Sequence, residues 1–256
     1  MKIAVLVKQV PGSESLLNLS SDESWIDENQ ATYVMNPPDN YAIEEALIIK
    51  ERIDDSEVVI LSLGPDRVQK VIREGLAKGA DRGIHLKEDD GIETDPLSIA
   101  KSFASVLEHE NFDLILTGLQ SDDTGMGQTG VLIGEILGMS TATLVMETDI
   151  QNEVIRVKRE LESGWFQWVK IQLPASISIQ SGLNNPRYPS LKGIMGAKKK
   201  EIKIILSEDH QPKSQSQSID KLFIPEALKQ TEVIEGDVDH SVARIVEILK
   251  SEIKVL

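Results

Sequence analysis

Short apolar runs alternate with helical patterns along the first two-thirds of the chain, and this alternation limits the possible folds more than any other feature. The run at residues 3–7 is apolar throughout, which is typical of a strand buried on both faces. Further strands are predicted at 58–61, 83–86 and 113–117, and helices at 39–52, 65–78, 95–107 and 128–138. Such alternation implies right-handed crossovers, so the sequence predicts a mostly parallel, Rossmann-like α/β sheet with helices on both faces.

The helices also carry recognisable start signals. Asp39 is predicted to cap the first helix, and Pro65 suits the first turn of the second. Ligands of sheets of this kind bind beyond the carboxyl ends of the strands. The loops that follow the strands are therefore the expected location of a ligand-binding site.

The pattern changes after residue 140. Short, β-rich segments at 141–149, 153–161, 166–173 and 175–181 predict an antiparallel extension of the sheet, and a loop rich in Asn, Pro and Gly is expected at 183–196. A short strand is predicted at 202–206, a polar linker at 207–218, and one amphipathic helix at 240–253. Two domains, 1–206 and 207–256, are therefore expected. The last helix cannot bury its apolar stripe alone, so it folds back on its own domain or docks on another chain.

Charge and composition exclude several classes of protein. Acidic residues outnumber basic ones by 42 to 27, giving a net charge of -15, whereas a nucleic-acid-binding protein normally presents a basic surface. The chain has no cysteine, which excludes disulfides and thiolate metal sites within it. No secretory signal pattern follows Met1–Val7 and no run approaches the length of a membrane span, so the cytoplasm is the expected compartment.

The segment from Thr117 to Gly130 joins the end of a predicted strand to the start of a predicted helix. Backbone amides in such a glycine-rich turn, together with the helix dipole, favour a phosphate group, and Gln128 and Thr129 add side-chain donors. Residues 125–130 also spell G-x-G-x-x-G, but they follow the fourth strand rather than the first, which argues against a standard NAD(P) site. The remaining alternative is a glycine-rich loop that binds no ligand.

Two other segments are candidates for binding. Residues 35–40 precede a helix at the same end of the sheet as the glycine-rich loop, so the two loops can embrace one nucleotide; alone, the segment reads as a stiff loop with a helix cap. Residues 183–195 expose Leu191, Ile194 and Met195, which predicts either a partner-docking loop or side chains buried beneath their own loop.

The ordered stretches Val5-Leu6-Val7-Lys8-Gln9-Val10, Met35-Asn36-Pro37, Glu44-Glu45-Ala46-Leu47, Gly64-Pro65, Ala77–His85, Gln128-Thr129-Gly130, Asn185–Leu191, Ile194-Met195 and Ala197–Lys200 occur at characteristic spacing. Together they make the chain resemble the electron-transfer flavoprotein β subunit family over residues 1 to about 206, with a looser match beyond. The resemblance implies an adenine-nucleotide α-hydrolase-like fold. It also implies a heterodimer with a larger α subunit, which holds most of an FAD that relays electrons from flavin dehydrogenases such as acyl-CoA dehydrogenases.

The same resemblance implies site residues. The β subunits of this family bury an AMP, or in electron-bifurcating members a second FAD. The nucleotide-binding positions carried over are Leu6, Asn36, Pro37, Pro38, Asp39, Leu63, Gly118, Leu119, Gln120, Ser121, Asp122, Asp123, Thr124, Gly125, Met126, Gly127, Gln128 and Thr129. The partner-recognition residues are Arg187, Tyr188, Leu191, Ile194 and Met195, with Leu191 as the anchor. Glu160 matches a glutamate that helps govern the swing of the flavin domain, and the C-terminal helix is expected to lie on the α subunit.

The chain departs from the family pattern at Gly125–Gly127, Trp165 and Gly196, which bears on the ligand and on the docking partner. The family resemblance implies a carrier subunit, for which no catalytic or metal-binding residues are expected. Two alternatives remain: a bifurcating β subunit with two FAD per heterodimer, and a stand-alone ATP-binding domain of the stress-protein type.

Overall fold

A computed structural model describes residues 1–88, 95–209, 216–225, 231 and 233–255. The chain divides into two compact units, Met1–Lys221 and Leu222–Leu256. The sequence predicted a division after residue 206, so the larger unit includes the whole of the linker expected at 207–218.

The strands of the larger unit are β1 (Lys2–Leu6), β2 (Gln9–Pro11), β3 (Tyr33–Met35), β4 (Glu57–Gly64), β5 (Arg82–Lys87), β6 (Leu114–Gly118), β7 (Ser140–Gln151), β8 (Val154–Glu160), β9 (Phe166–Gln172), β10 (Ala175–Ile179) and β11 (Ile202–Ile205). Its helices are α1 (Pro37–Arg52), α2 (Gln69–Lys78), α3 (Pro96–Leu107), α4 (Thr129–Ile136) and α5 (Leu191–Ala197). The smaller unit contains α6 (Val238–Glu247), which continues as a π-helical turn over Ile248–Glu252. Within the described part of the chain, no helix is both long and apolar enough to cross a lipid bilayer.

The main sheet has nine strands in the order β11-β5-β4-β1-β6-β10-β7-β8-β9. Every neighbouring pair from β11 to β7 is parallel, whereas β8 and β9 are added antiparallel. The predicted α/β class and mostly parallel sheet are confirmed. The chain places β4 and β5 on one side of β1 and β6 on the other, so the strand order reverses between β1 and β6.

Strand β1 shows why the sheet is covered on both faces. Ile3 and Val5 pack into the apolar cluster on the side of α1 and α2, whereas Ala4 and Leu6 pack into the cluster that contains residues of α3 and α4. Successive strand residues point to opposite faces, so a strand between two helical layers is apolar at every position. The observed burial therefore accounts for the unbroken apolar run in the sequence.

Three sequence-based expectations are wrong. The segment at 175–181 does not extend the antiparallel part of the sheet, because β10 lies between β6 and β7 and is parallel to both. The expected loop at 183–196 contains a short helix, α5, which Ser190 caps by accepting a hydrogen bond from the amide of Gly193. Asp39 is not the cap of α1, because the helix starts at Pro37 with Asn36 in the cap position.

An ion-pair network ties the amino-terminal end of the sheet together. The carboxylate of Glu110 lies 2.8 Å from Lys2 Nζ and 2.8 Å from Arg82 Nη2. Burial alone would raise the pKa of Glu110, but hydrogen bonds and charges from Lys2 and Arg82 outweigh it and lower the pKa to about 2. The folded protein therefore holds the ionised carboxylate more strongly than the unfolded chain does. The ionised form of Glu110 stabilises the fold at every pH at which it is populated.

We expect Glu110→Gln to reduce the free energy of unfolding by about 1–2 kcal/mol at pH 7, after allowance for partial exposure to solvent. The lowered pKa of Glu110 means that its contribution is complete above the unfolded value of 4.5 and is lost as the pH falls towards about 2. Urea unfolding should therefore show that the difference in free energy of unfolding between wild type and variant is less than half as large at pH 3 as at pH 7. Glu108→Gln, at an exposed position nearby, is the control. If Glu110→Gln lowered the free energy of unfolding equally at both pH values, the stabilisation by Glu110 would not be electrostatic.

Candidate functional site

A cleft opens at the carboxyl ends of β1 and β6, where the strand order reverses. This is the position at which open α/β sheets bind their ligands. The cleft is lined by Leu6, Val7, Lys8, Asn36, Asp39, Leu63, Pro96, Ile99, Phe103, Thr117, Gly118, Leu119, Gln120, Ser121, Thr124, Met126, Gly127, Gln128, Thr129 and Gly130. Thirteen of the positions carried over from the family resemblance are among these residues.

The side chain of Asn36 joins the two loops that the sequence placed at this end of the sheet. Its amide nitrogen donates to the carbonyl of Gln120 at 3.1 Å, and its amide oxygen accepts from the backbone N–H of Asp122 at 3.0 Å. Asn36 is fully enclosed, with 1% of its surface exposed, whereas Gln120 and Asp122 are exposed, so the two bonds connect the protein interior to the surface loop. The loop before α1 and the glycine-rich loop after β6 are therefore held as one unit.

Asp39 is buried behind this junction, in the first turn of α1. Its carboxylate accepts hydrogen bonds from the backbone N–H of Lys8 at 2.7 Å and from the side-chain amide of Asn36 at 3.0 Å. Burial raises the pKa of Asp39 to about 7, although these bonds and one from the backbone of Gly118 oppose the rise. Asp39 thus links the end of β1, the end of β6 and the start of α1, which are the three elements that form the cleft.

Lys8 and Asp123 form an ion pair at the edge of the cleft, with 2.7 Å between Nζ and Oδ1. Lys8 Nζ also lies 3.3 Å from the hydroxyl of Ser121. Burial would raise the pKa of Asp123, but the charge and hydrogen bond of Lys8 outweigh it, so the pKa lies below its usual range. The ion pair fixes the glycine-rich loop to the end of β1 and brings a cation to the cleft.

The glycine-rich loop has the donors that a phosphate requires. Gly125 and Gly127 adopt left-handed conformations, with φ of +62° and +64°, and α4 starts directly afterwards at Thr129. Within the described part of the chain, the amides of residues 126–128 donate to no protein acceptor. Free amides followed by a helix amino terminus form an anion-binding concavity, so these residues fit a phosphate group.

Part of the cleft lining is apolar. Leu6 and Leu63 come from the sheet, and Ile99 and Phe103 come from one face of α3. Apolar side chains that line the same cleft as a turn with free amides are the combination expected for a nucleotide, whose base is flat and largely apolar on its faces. The cleft can therefore hold both a base and a phosphate.

Sequence reasoning did not find every residue of the cleft. The lining residues that it missed are Val7, Lys8, Pro96, Ile99 and Phe103, whereas Thr117 and Gly130 are the two ends of the segment predicted to bind a phosphate. Ile99 and Phe103 are four residues apart on a predicted helix, and the sequence offers no way to tell a helix face that lines a cleft from one that fills a core. The predicted positions that do not line the cleft are Pro37, Pro38, Asp122, Asp123 and Gly125, of which Asp122 and Asp123 act through Asn36 and Lys8.

The predicted recognition segment forms a separate surface around α5. Tyr188 is 94% exposed, Leu191 83% and Met195 71%, and Ile194 is also exposed. Arg187 does not share this surface, because its guanidinium is bonded to Glu44. Four of the five predicted recognition residues thus form one exposed apolar surface, which is unusual unless a partner covers it.

Glu160 lies at the end of β8, where its carboxylate accepts a hydrogen bond from the side chain of Gln180 at 2.7 Å. It does not line the cleft. In the part of the chain that the structure describes, no group of three or more His, Cys, Asp or Glu side chains could hold a metal ion.

Together, the fold and the cleft define a doubly wound α/β protein of the Rossmann-like class. The chain belongs to the electron transfer flavoprotein family, because the model of the electron transfer flavoprotein domain matches residues 24–209. It is 36% identical over 260 residues to the electron transfer flavoprotein subunit beta of Methylophilus methylotrophus, covering 97% of this chain and 98% of that protein. It is also 38% identical over 259 residues to the subunit beta of Bradyrhizobium diazoefficiens, covering all of both chains, and 33% identical over 211 residues to that of Homo sapiens, covering 82% of each. The predicted β-subunit family is confirmed.

Proposed function

We propose that this chain is the smaller subunit of a heterodimeric electron carrier and that its cleft permanently houses AMP. The partner in this proposal is an α subunit that holds most of an FAD, and the pair passes electrons from flavin dehydrogenases to a downstream acceptor. The observation that carries the nucleotide assignment is the turn at 126–128, whose amides have no protein acceptor in the described chain and which precedes the start of α4. FAD supplies the redox chemistry when bound, so this chain contributes structure and recognition, not acid–base catalysis.

Three groups of residues have distinct tasks in this proposal. The amides of the turn and the hydroxyls of Ser121 and Thr124 hold the phosphate, while Leu6, Ile99 and Phe103 cover the base. The surface around α5 receives the electron donor, and Glu160 helps govern the movement of the flavin domain. The exposed apolar residues of α6, which include Val242 and Ile245, provide the surface that lies on the α subunit. The cytoplasm remains the proposed compartment.

We expect Gly127→Val to weaken nucleotide binding by about tenfold, because valine pays about 1–2 kcal/mol to adopt a left-handed conformation. The measurement is the dissociation constant for AMP added to heterodimer from which the nucleotide has been removed. Gly138→Val is the matched control, because Gly138 has a nearly equal φ of +65° but lies beyond α4, away from the cleft. Equal dissociation constants in the two variants would show that the turn does not bind the phosphate.

A second cavity favours one alternative, an electron-bifurcating β subunit with a second FAD. It adjoins the first at Lys8 and Leu63 and is lined by Trp25, Tyr33 and Arg67 among others. The guanidinium of Arg67 stacks over the ring of Tyr33 at 3.8 Å, and burial raises the pKa of Tyr33 to about 12. Such a cavity offers space next to the cleft for a larger group than AMP.

The cofactor inventory of the purified heterodimer separates these alternatives. One FAD with one AMP per heterodimer supports the carrier, and two FAD without AMP support the bifurcating form. A purified chain that is monomeric, binds ATP and ignores an added α subunit would instead indicate a stand-alone nucleotide-binding domain.

A further inference from the structure

We propose that Arg187 is a positioning residue that locks the recognition surface in its docking geometry, an inference that rests on the proposed function of the surface around α5. The backbone N–H of Arg187 donates to Glu44 Oε2 at 2.9 Å, and its Nε and Nη2 each reach a different oxygen of the same carboxylate at 2.9 Å. The remaining Nη1 lies 2.5 Å from Glu51 Oε1. The side chain and the backbone amide of Arg187 thus bind two carboxylates of α1.

The acceptor at the centre of this arrangement is buried. The side chain of Glu44 is 7% exposed, whereas that of Glu51 is 59% exposed. A carboxylate buried to this degree requires a charged, well-oriented partner, since its desolvation is otherwise costly. The forked geometry of arginine supplies two parallel bonds to one carboxylate, which lysine cannot do. The pairing therefore fixes both the position and the orientation of the chain at residue 187.

The next residue of α1 holds the preceding part of the same segment. Glu45 accepts a hydrogen bond from the side-chain amide of Asn184 at 3.2 Å, and its other oxygen accepts from the hydroxyl of Thr148. The Asn184 amide also donates to the carbonyl of Tyr41 at 3.1 Å. Two adjacent glutamates of α1 thus hold residues 184 and 187 at one end of the recognition segment.

The other end of the segment is held by α2. Arg73 Nη1 donates to the carbonyls of Ala197 and Lys200 at 2.5 and 2.6 Å, after the last turn of α5. The backbone of Gly193 packs so closely on the carbonyl of Ala77 that a side chain there would clash. Lys200 Nζ in turn donates to the carbonyl of Leu76 at 3.1 Å.

This arrangement explains how the exposed apolar side chains of the segment keep a defined geometry. Tyr188, Leu191 and Met195 lie between the two attachment points. A surface that is ordered before docking loses less conformational entropy when the partner binds, so its affinity is higher for the same contacts. Release of Arg187 should therefore weaken docking while leaving the contacts themselves available.

The test compares Arg187→Lys with Arg82→Lys in the complete heterodimer with bound cofactors. Arg82 is also a paired arginine, with 20% of its side chain exposed, but its partners are Glu57 and Glu110 and neither belongs to α1. Hydrogen–deuterium exchange of residues 184–197 reports on the order of the segment. Steady-state reduction by a purified acyl-CoA dehydrogenase reports on docking.

We expect Arg187→Lys to accelerate exchange over 184–197 by about tenfold and to raise the apparent KM for the dehydrogenase by a similar factor, because only about a tenth of molecules would present the competent surface. The kcat at saturating donor and the nucleotide content should not change. Glu51→Gln, which leaves the Glu44 pair in place, should produce a smaller change in the same direction, and it replaces Arg187→Lys if that variant does not assemble.

Unchanged exchange over 184–197 in both variants, relative to Arg82→Lys, would overturn the proposal. A merely structural role would lower kcat, nucleotide content and stability together, which also contradicts it. Failure of the proposed docking function looks different: Leu191→Ala would leave the KM unchanged, or the wild-type complex would accept no electrons from the dehydrogenase, while Arg187→Lys would still accelerate exchange.

Discussion

Gly118→Ala is expected to destabilise the protein by about 2–3 kcal/mol or more, because overpacking forces backbone to move. A Cβ at residue 118 would clash with the Asp39 carboxylate and would lie 2.9 Å from the Asp39 amide nitrogen and from the carbonyl carbon of Pro38. Real Cβ atoms essentially never approach backbone this closely, so β6 and the start of α1 must separate. Since both elements line the cleft, the variant should also lose its nucleotide.

Chemical unfolding and the AMP content of the purified heterodimer measure the two effects. Gly196→Ala is the control, because a Cβ at residue 196 meets nothing within 4 Å and Gly196 lies within α5. That variant should be at least as stable as the wild type, since alanine favours helix over glycine. Full stability in Gly118→Ala would show that the junction between β6 and α1 tolerates expansion.

Leu191→Ala is expected to raise the KM for the electron donor by about 10- to 100-fold, which corresponds to the about 1–3 kcal/mol lost when a buried anchor side chain is truncated. Stability should change by less than about 0.5 kcal/mol, because a side chain that is 83% exposed contributes little to the core. Reduction of the heterodimer by a flavin dehydrogenase, followed at increasing dehydrogenase concentration, gives the KM.

Leu206→Ala removes another exposed leucine, outside the recognition segment, and should leave the KM unchanged. Equal KM values for Leu191→Ala and the wild type would remove Leu191 from the recognition surface. A large loss of stability in the same variant would indicate that the leucine is buried against its own chain.

The glycine-rich loop shows how far sequence reasoning reaches at the site. A strand end, a run of glycines and a helix start are all local features, so the position of the turn that we propose to bind the phosphate could be predicted. Asp39 was also recognised as important, but it was interpreted as a helix cap. Its carboxylate bonds to the neighbouring Asn36 but also to Lys8 and Gly118, which are distant in sequence, and no local pattern encodes that meeting.

For the recognition segment, the sequence identified the exposed residues but not the contacts that hold them in place. The exposed apolar residues were identified from sequence because they stand among Asn, Pro and Gly. The role of Arg187 could not be identified, because Glu44 and Glu51 lie on α1, more than a hundred residues away in sequence. Only the fold brings that helix beneath the loop.

The amino-acid sequence by itself determined the alternation of strands and helices, the buried character of β1 and the place of the glycine-rich turn, because each follows from apolar spacing or backbone freedom within a few residues. Tertiary structure alone decided that β10 inserts between β6 and β7, that α3 supplies part of the apolar lining of the cleft, and that Arg187 pairs with α1. An apolar strand looks the same whether its neighbours run parallel or antiparallel, and an ion pair exists only when the chain has folded. Those features depend on which distant segments meet, a question that the packing of the whole sheet answers.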